Sequence, residues 1–159
     1  MAVDMFLKLD GIKGESLDAK HKGEIEVLSF SWGMSQVGSS GAGGGSGKVS
    51  VHDISITKVT DSSTPQLMKS CATGQHIPTG LITVRKAGEK PLEYLKIKLT
   101  DILISSVQMG GARSGTPSES FTLNFAKMDV FALPLTSVGV ASTVEIVNDE
   151  AGVFQAPPT

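Results

Sequence analysis

The residues best suited to chemistry form a glycine run that ends on a lysine: GSSGAGGGSG over positions 38–47, followed by Lys48. Glycine loops cradle phosphate where their backbone N–H groups converge and a helix follows. A P-loop built on Gly47-Lys48 needs its first glycine at position 42 and a hydroxyl after the lysine, but these positions hold Ala42 and Val49. The dinucleotide fingerprint started from Gly41 and Gly43 finds Ser46 where its third glycine belongs. An alternating strand pattern, KVSVHDISITKV, follows in place of a helix. The run is not a nucleotide site. On its residues alone it reads as a flexible hairpin tip.

The other candidate groups fail for similar reasons. His21, His52 and His76 stand far apart and in different elements. Cys71 and His76 come closest to a metal pair, but a zinc site takes four ligands and the others are missing. Cys71 reads instead as a core-facing helix residue. Serines are numerous, yet no Gly-x-Ser-x-Gly elbow is present, and a serine without a positioned base is no nucleophile. Glu24 and Glu26 share a strand face and read as a solvated edge. Trp32, the single tryptophan, is of a type that anchors interfaces, but its phase with Leu28 and Phe30 assigns it to the core. These residues yield no catalytic group, cofactor or metal, and no enzyme is expected.

Composition narrows the partners. Charged residues make up 19% of the chain and the net charge is −2, with no lysine or arginine cluster. That balance gives no basic face for nucleic acid. No apolar run of about 18 residues is present to insert in a membrane, and Asp4 and Lys8 interrupt the N-terminal apolar stretch, so no secretory signal is expected. One cysteine allows no intrachain disulfide and suits a reducing compartment. At 159 residues the chain is expected to form one domain, 1–159, around one core.

The elements follow from hydrophobic periodicity. Val3–Leu9 alternates, with Val3, Met5, Leu7 and Leu9 on one side. GEIEVLSFSWGMSQ (Gly23–Gln36) reads as a second, long strand. Its bulky face is Leu28, Phe30, Trp32 and Met34; its smaller face is Val27, Ser29, Ser31 and Gly33. One apolar and one serine-lined face fit a strand that covers a core and meets water. Past the glycine run, Val49 and Val51 are out of phase with Ile54 and Ile56, which predicts a bulge or corner at His52–Asp53. Thr64-Pro65 to Gly74 has an N-cap, a proline at the first helical position and a glycine stop, hence one short helix. Leu67, Met68, Cys71 and Ala72 form its expected apolar face. Strands are predicted at Gly80–Ala87, Leu92–Val107 (with a phase switch near Thr100–Asp101) and Ser120–Phe131, where Phe121, Leu123 and Phe125 point inward. A last strand is expected within Val138–Val147. About seven strands and one helix, without internal repeats, make a mainly β chain: a small antiparallel β-barrel of two curled sheets with one short flanking helix.

In this order the stretches resemble the Hcp family, the haemolysin-coregulated tube proteins of bacterial type VI secretion. The resemblance rests on MAVDMFLKLDGIKGES, on VLSFSWGMSQ with the glycine arm and GKVSVHDISITK, and on SSTPQLMKSCATGQHIP. It continues through LITVRKAGEKPLEYLKIKLTDILISSVQMGG and SFTLNFAKMDV, covering about positions 1–131. VEIVNDEAGVFQAPPT stands where the family usually carries a Gly-Trp-Asp-like strand, so the part from 132 to 159 departs from it.

The resemblance implies a non-enzymatic barrel that closes head to tail into homohexameric rings, which stack as an inner tube. The implied partners are further copies of the chain, a trimeric spike protein, a contractile sheath and small effector proteins carried in the bore. The protein would be made in the bacterial cytoplasm and leave without a cleaved signal. Two site expectations follow. Ser29 and Ser31 line the lumen and contact effectors. Gly38, Ser39, Ser40, Gly41, Ala42, Gly43, Gly44, Gly45, Ser46 and Gly47 form an extended loop that reaches the neighbouring ring. The alternative is a monomeric β-barrel binding a small ligand or peptide, with the glycine arm as a lid; it predicts an apolar pocket inside the barrel and no self-association.

Overall fold

The computed structural model describes residues 2–37, 48–134 and 142–148. Its strands are β1 (Val3–Leu9), β2 (Ile25–Glu26), β3 (Ser29–Ser31), β4 (Met34–Val37), β5 (Lys48–Val51), β6 (Ile54–Val59), β7 (Ile77–Lys86), β8 (Leu92–Gly110), β9 (Ser118–Ala132) and β10 (Ser142–Val147), with one helix, α1 (Thr64–Thr73). Eight strands make one antiparallel sheet, in the order β2-β1-β7-β8-β9-β6-β3 with β10 added to β9, and β4 and β5 form a separate pair.

The stretch expected as one strand over Gly23–Gln36 is three. β2 pairs with β1 and β3 pairs with β6. Between them the Val27 N–H donates to Met5 O at 3.0 Å and the Leu28 N–H to Thr57 O at 2.8 Å. The segment thus crosses from one end strand to the other and ties the curled sheet, a half-barrel, across its open side. The crossing rotates the chain, so Val27 is buried and Leu28, expected inside, is 56% exposed. Phe30 and Trp32 still pack against the core, and the Trp32 indole N–H donates to His52 O.

Alternation fills the interior. Ile54 and Ile56 of β6, Ile102 and Ile104 of β8, and Phe121, Leu123 and Phe125 of β9 are all buried. The expected switch at His52–Asp53 is the corner where the chain leaves the β4–β5 pair for the main sheet. At Thr100–Asp101, inward Ile97 and Leu99 give way to Ile102 and Ile104, while on β9 inward Phe125 gives way to Met128. Register across the switch is unchanged (Thr100↔Lys127, Ile102↔Phe125), so both strands turn over together. Asp101 takes φ +54° there, a conformation uncommon for a residue with a side chain.

Helix α1 ends as expected, at Gly74 with φ +69°. Its cap is Ser63 rather than Thr64. The Thr64 hydroxyl instead accepts the Asp61 N–H and donates to Glu119 of β9. That anchor turns Thr64, Leu67 and Ser70 to the barrel and leaves Met68 and Ala72, expected inside, exposed. Under the anchor lies a buried ion network. Lys58 Nζ is 2.6 Å from Glu119 Oε1 and 2.8 Å from Asp61 Oδ1, and the Lys58 and Glu119 side chains are fully buried. Burial raises the Asp61 carboxyl, but donors from Lys58 and Ser63 outweigh it and hold the group below its ordinary value.

On the outer face of β1 and β7, the connection before β2 is strapped down. His21 stacks on Phe6 with ring centroids 4.3 Å apart, and its two nitrogens reach Glu24 at 2.8 Å and Glu93 at 2.6 Å. Glu24 is thus engaged rather than a solvated edge, and Glu26 is exposed. Arg85 of β7 bonds Asp18 and Asp4. Hydrogen bonds from Arg85 and from the Lys20 N–H hold the Asp18 carboxyl well below the usual carboxylate range.

Breaking one partner of a buried ion pair leaves the other uncompensated. Glu119→Gln is therefore expected to destabilise the fold by about 3 kcal/mol, read as a lower urea midpoint at fixed protein concentration. Because the Asp61 carboxyl is held below its ordinary value, its contribution is full at neutral pH and drains as the pH falls below about 4. An unchanged midpoint in Glu119→Gln would remove the network from the account of what holds α1.

Candidate functional site

Positions that alternate with the core are free to face outward, and on four neighbouring strands they carry one kind of chemistry. The pairing registers place Ser31 beside Ser55, Ser55 beside Thr122, and Thr122 beside Ser106, a row running β3-β6-β9-β8. The next row is Ser29, Thr57, Ser120 and Gln108. All eight side chains are exposed or half-buried. The outward positions of β3, β6, β8 beyond Ile102 and β9 up to Asn124 carry no lysine, arginine, aspartate or glutamate. The two rows are uncharged: seven of the eight side chains are small hydroxyls and the eighth is the Gln108 amide, all of which both donate and accept hydrogen bonds, while Val59 and Leu103 are the apolar residues beside them.

The rows are cross-linked at one point. Register between β8 and β9 shifts between Ile104 and Ser106, leaving Ser105 as the extra residue of a bulge. Thr122 Oγ1 lies 2.7 Å from Ser105 Oγ and 2.6 Å from Ser106 Oγ. The bulge aims Ser105 at the corner before β6, where its hydroxyl donates to Asp53 Oδ2 at 2.6 Å while Asn124 Nδ2 donates to Asp53 Oδ1 at 2.8 Å.

Ser29 and Ser31, singled out in the sequence, therefore stand at the β3 end of these rows. Sequence reasoning missed their partners, although the signal is present: hydroxyl residues alternate with apolar ones in DISIT and SFTLN just as they do in LSFSW. What periodicity does not give is which strands are neighbours. The glycine arm, Gly38–Gly47, lies outside the described residues.

Other candidate chemistry is structural. His76 Nδ1 pairs with Asp101 at 2.7 Å on the surface, and Cys71 packs against the core. Among the described residues no group of three or more His, Cys, Asp or Glu side chains is arranged for a metal. Among the described residues the core side chains pack together inside the curled sheet. A cavity of about 460 Å³ opens instead at the surface, where the crossing segment leaves β1 and β6 apart. Val3, Met5, Leu28 and Val59 line it together with Asp4, Glu15, Glu26 and Asp61. This cavity is open to the surface and partly acidic, unlike the internal apolar pocket that a ligand-binding barrel predicts.

Replacing Thr122 with valine removes the hydroxyl shared by Ser105 and Ser106 at nearly constant volume. Thr122→Val should cost about 1 kcal/mol of stability, measured by urea unfolding. A cost near zero would show that the cross-link does not hold the face.

Comparison with known proteins agrees with the architecture. Residues 6–131 match the family model described as "Type VI secretion system effector, Hcp". Protein hcp1 of Pseudomonas aeruginosa is 51% identical over 143 residues, covering 87% of this chain and 88% of that protein. The crystal structure of Hcp1 from Salmonella typhimurium superposes with a TM-score of 0.78 at 37% identity, over 92% of this chain and 95% of the other. A type VI secretion system effector from Yersinia pestis gives a TM-score of 0.78 at 38% identity, over 91% and 99% of the two chains. With its curled sheet, its flanking helix and a family match from β1 into β9, the chain belongs to the Hcp family of the type VI secretion system.

Proposed function

We propose that copies of this chain, a non-enzymatic tube protein of the type VI secretion system, close head to tail into six-membered rings that stack into the inner tube. In this reading 1–159 forms a single domain and the hydroxyl face lines the bore, with Ser29 and Ser31 among its contacts to small effector proteins. The observation that carries it is the pair of uncharged rows across four strands, seven hydroxyls and the Gln108 amide. A wall that carries a protein and then gives it up has to wet the cargo without gripping it. Exchangeable hydrogen bonds contribute little net affinity each, and small side chains keep the bore wide.

Ring closure needs a contact between two different surfaces of the same chain. Sheet edges are natural material for that contact. Among the described residues no strand covers the outer edge of β10, or the β8 edge beyond Ile102 on the side of β7. The arm Gly38–Gly47 would reach the next ring, since a glycine chain orders only on docking. The trimeric spike and the contractile sheath are the further partners. As a secreted protein of this system, the chain would be made in the cytoplasm and leave for the medium or a target cell without a cleaved signal.

Solution mass and negative-stain electron microscopy on one sample test the assembly. Six times the chain mass with ring-shaped particles is expected. A monomer at high concentration would return weight to the ligand-binding barrel. Deleting Ser39–Ser46 should leave the rings and weaken their stacking, seen as shorter filaments in the same images; loss of the ring itself would refute that division of labour.

A further inference from the structure

One charged side chain reaches the hydroxyl face. Asp53 sits at the corner before β6, half-buried, and its carboxylate lies over Ser105 and Asn124. It is the one acidic group that reaches this face among the described residues, and its partners among the described side chains are the neutral Ser105 and Asn124. We propose that Asp53 reads charge on this face: it receives a lysine or arginine side chain presented by a cargo protein. The proposal rests on the tube reading, in which the same face lines the bore.

Three features support it. First, each carboxylate oxygen accepts about two hydrogen bonds, and each Asp53 oxygen is given one protein donor here, so acceptor capacity remains for a cationic donor. Second, the two donors are neutral. Ser105 and Asn124 fix the carboxylate without cancelling its charge, unlike Asp18 or Asp61, which face Arg85 and Lys58. A fixed, uncancelled carboxylate loses little freedom when a guanidinium or ammonium docks. Third, the positioning is built into the fold. The residue that reaches Asp53 is the extra residue of the β8 bulge, and bulges serve to re-aim side chains. Ring symmetry would repeat the carboxylate once per protomer at one level of the bore. The rows of Ser, Thr and Gln would then tolerate many surfaces, while this level favours a basic one.

The test uses the assembled full-length chain and two fluorescent probes: a short Gly/Ser peptide carrying lysines and the same peptide carrying glutamates. Anisotropy is read at low and high salt. Wild type should prefer the lysine peptide by about fivefold, as for an exposed ion pair, and lose the preference at high salt. Asp53→Asn should abolish the preference with ring mass unchanged; binding like wild type would overturn the proposal. Should Asp53→Asn fail to assemble, Ser105→Ala keeps the charge and frees its position, and an unchanged preference there would equally count against it. Ser31→Tyr separates this inference from the tube reading. If it lowers binding of both peptides while Asp53→Asn does nothing, the lumen stands and the charge site falls. If Asp53→Asn removes the preference while Ser31→Tyr changes neither probe, the charge site stands and lies outside a bore.

Discussion

From Leu95↔Ala132 to Gly110↔Ser118, β8 and β9 remain antiparallel neighbours, and the rest of the main sheet is hung on this ladder. β7 takes the other edge of β8, β6 and β10 share the other edge of β9, and α1 packs on β8. Two irregularities shape the ladder. At Asp101 both strands turn over together, which lets a single pair of long strands bury side chains along two stretches that would otherwise face opposite ways. At Ser105 one strand gains a residue, which sharpens the bend and sends a hydroxyl toward Asp53. Curl, core and polar face therefore have one origin. The inward positions are consumed by packing, so the outward ones are free to serve a surface function.

Much of this was legible in the sequence because it depends on local chemistry. β1, the helix span and its glycine stop, the slip at His52–Asp53, the switch at Thr100–Asp101 and the inward Phe121, Leu123 and Phe125 all follow from period and turn residues. The rest depends on neighbours. Gly23–Gln36 alternates like one strand, but the need to bridge β1 and β6 breaks it after Glu26 and exposes Leu28. The helix presents Thr64 and Ser70 rather than Met68, because a hydrogen bond to Glu119, far along the chain, sets its rotation. Lys58 looks like a surface residue by type, and its burial is made tolerable by the directly opposed Glu119 together with Asp61. The hydroxyl rows were half visible: Ser29 and Ser31 carry the pattern, and register adds the other three strands.

Charge is distributed in a way that suits a tube wall. Ion pairs are spent on holding parts together, with Lys58, Asp61 and Glu119 under the helix and Arg85, Asp4 and Asp18 under the strap before β2. The hydroxyl face is kept nearly free of them. A wall dense in one sign of charge would grip oppositely charged cargo and repel the rest. A wall of small hydroxyl groups instead exchanges bonds with water at little net cost, which allows passage and release.

An electron cryomicroscopy reconstruction of the assembled ring is the most direct measurement of this tube reading. The reconstruction should place the rows Ser31-Ser55-Thr122-Ser106 and Ser29-Thr57-Ser120-Gln108 on the inner wall, with the outer face of β1 and β7 turned away from the axis. A ring with those rows on its outside, or buried between protomers, would contradict it.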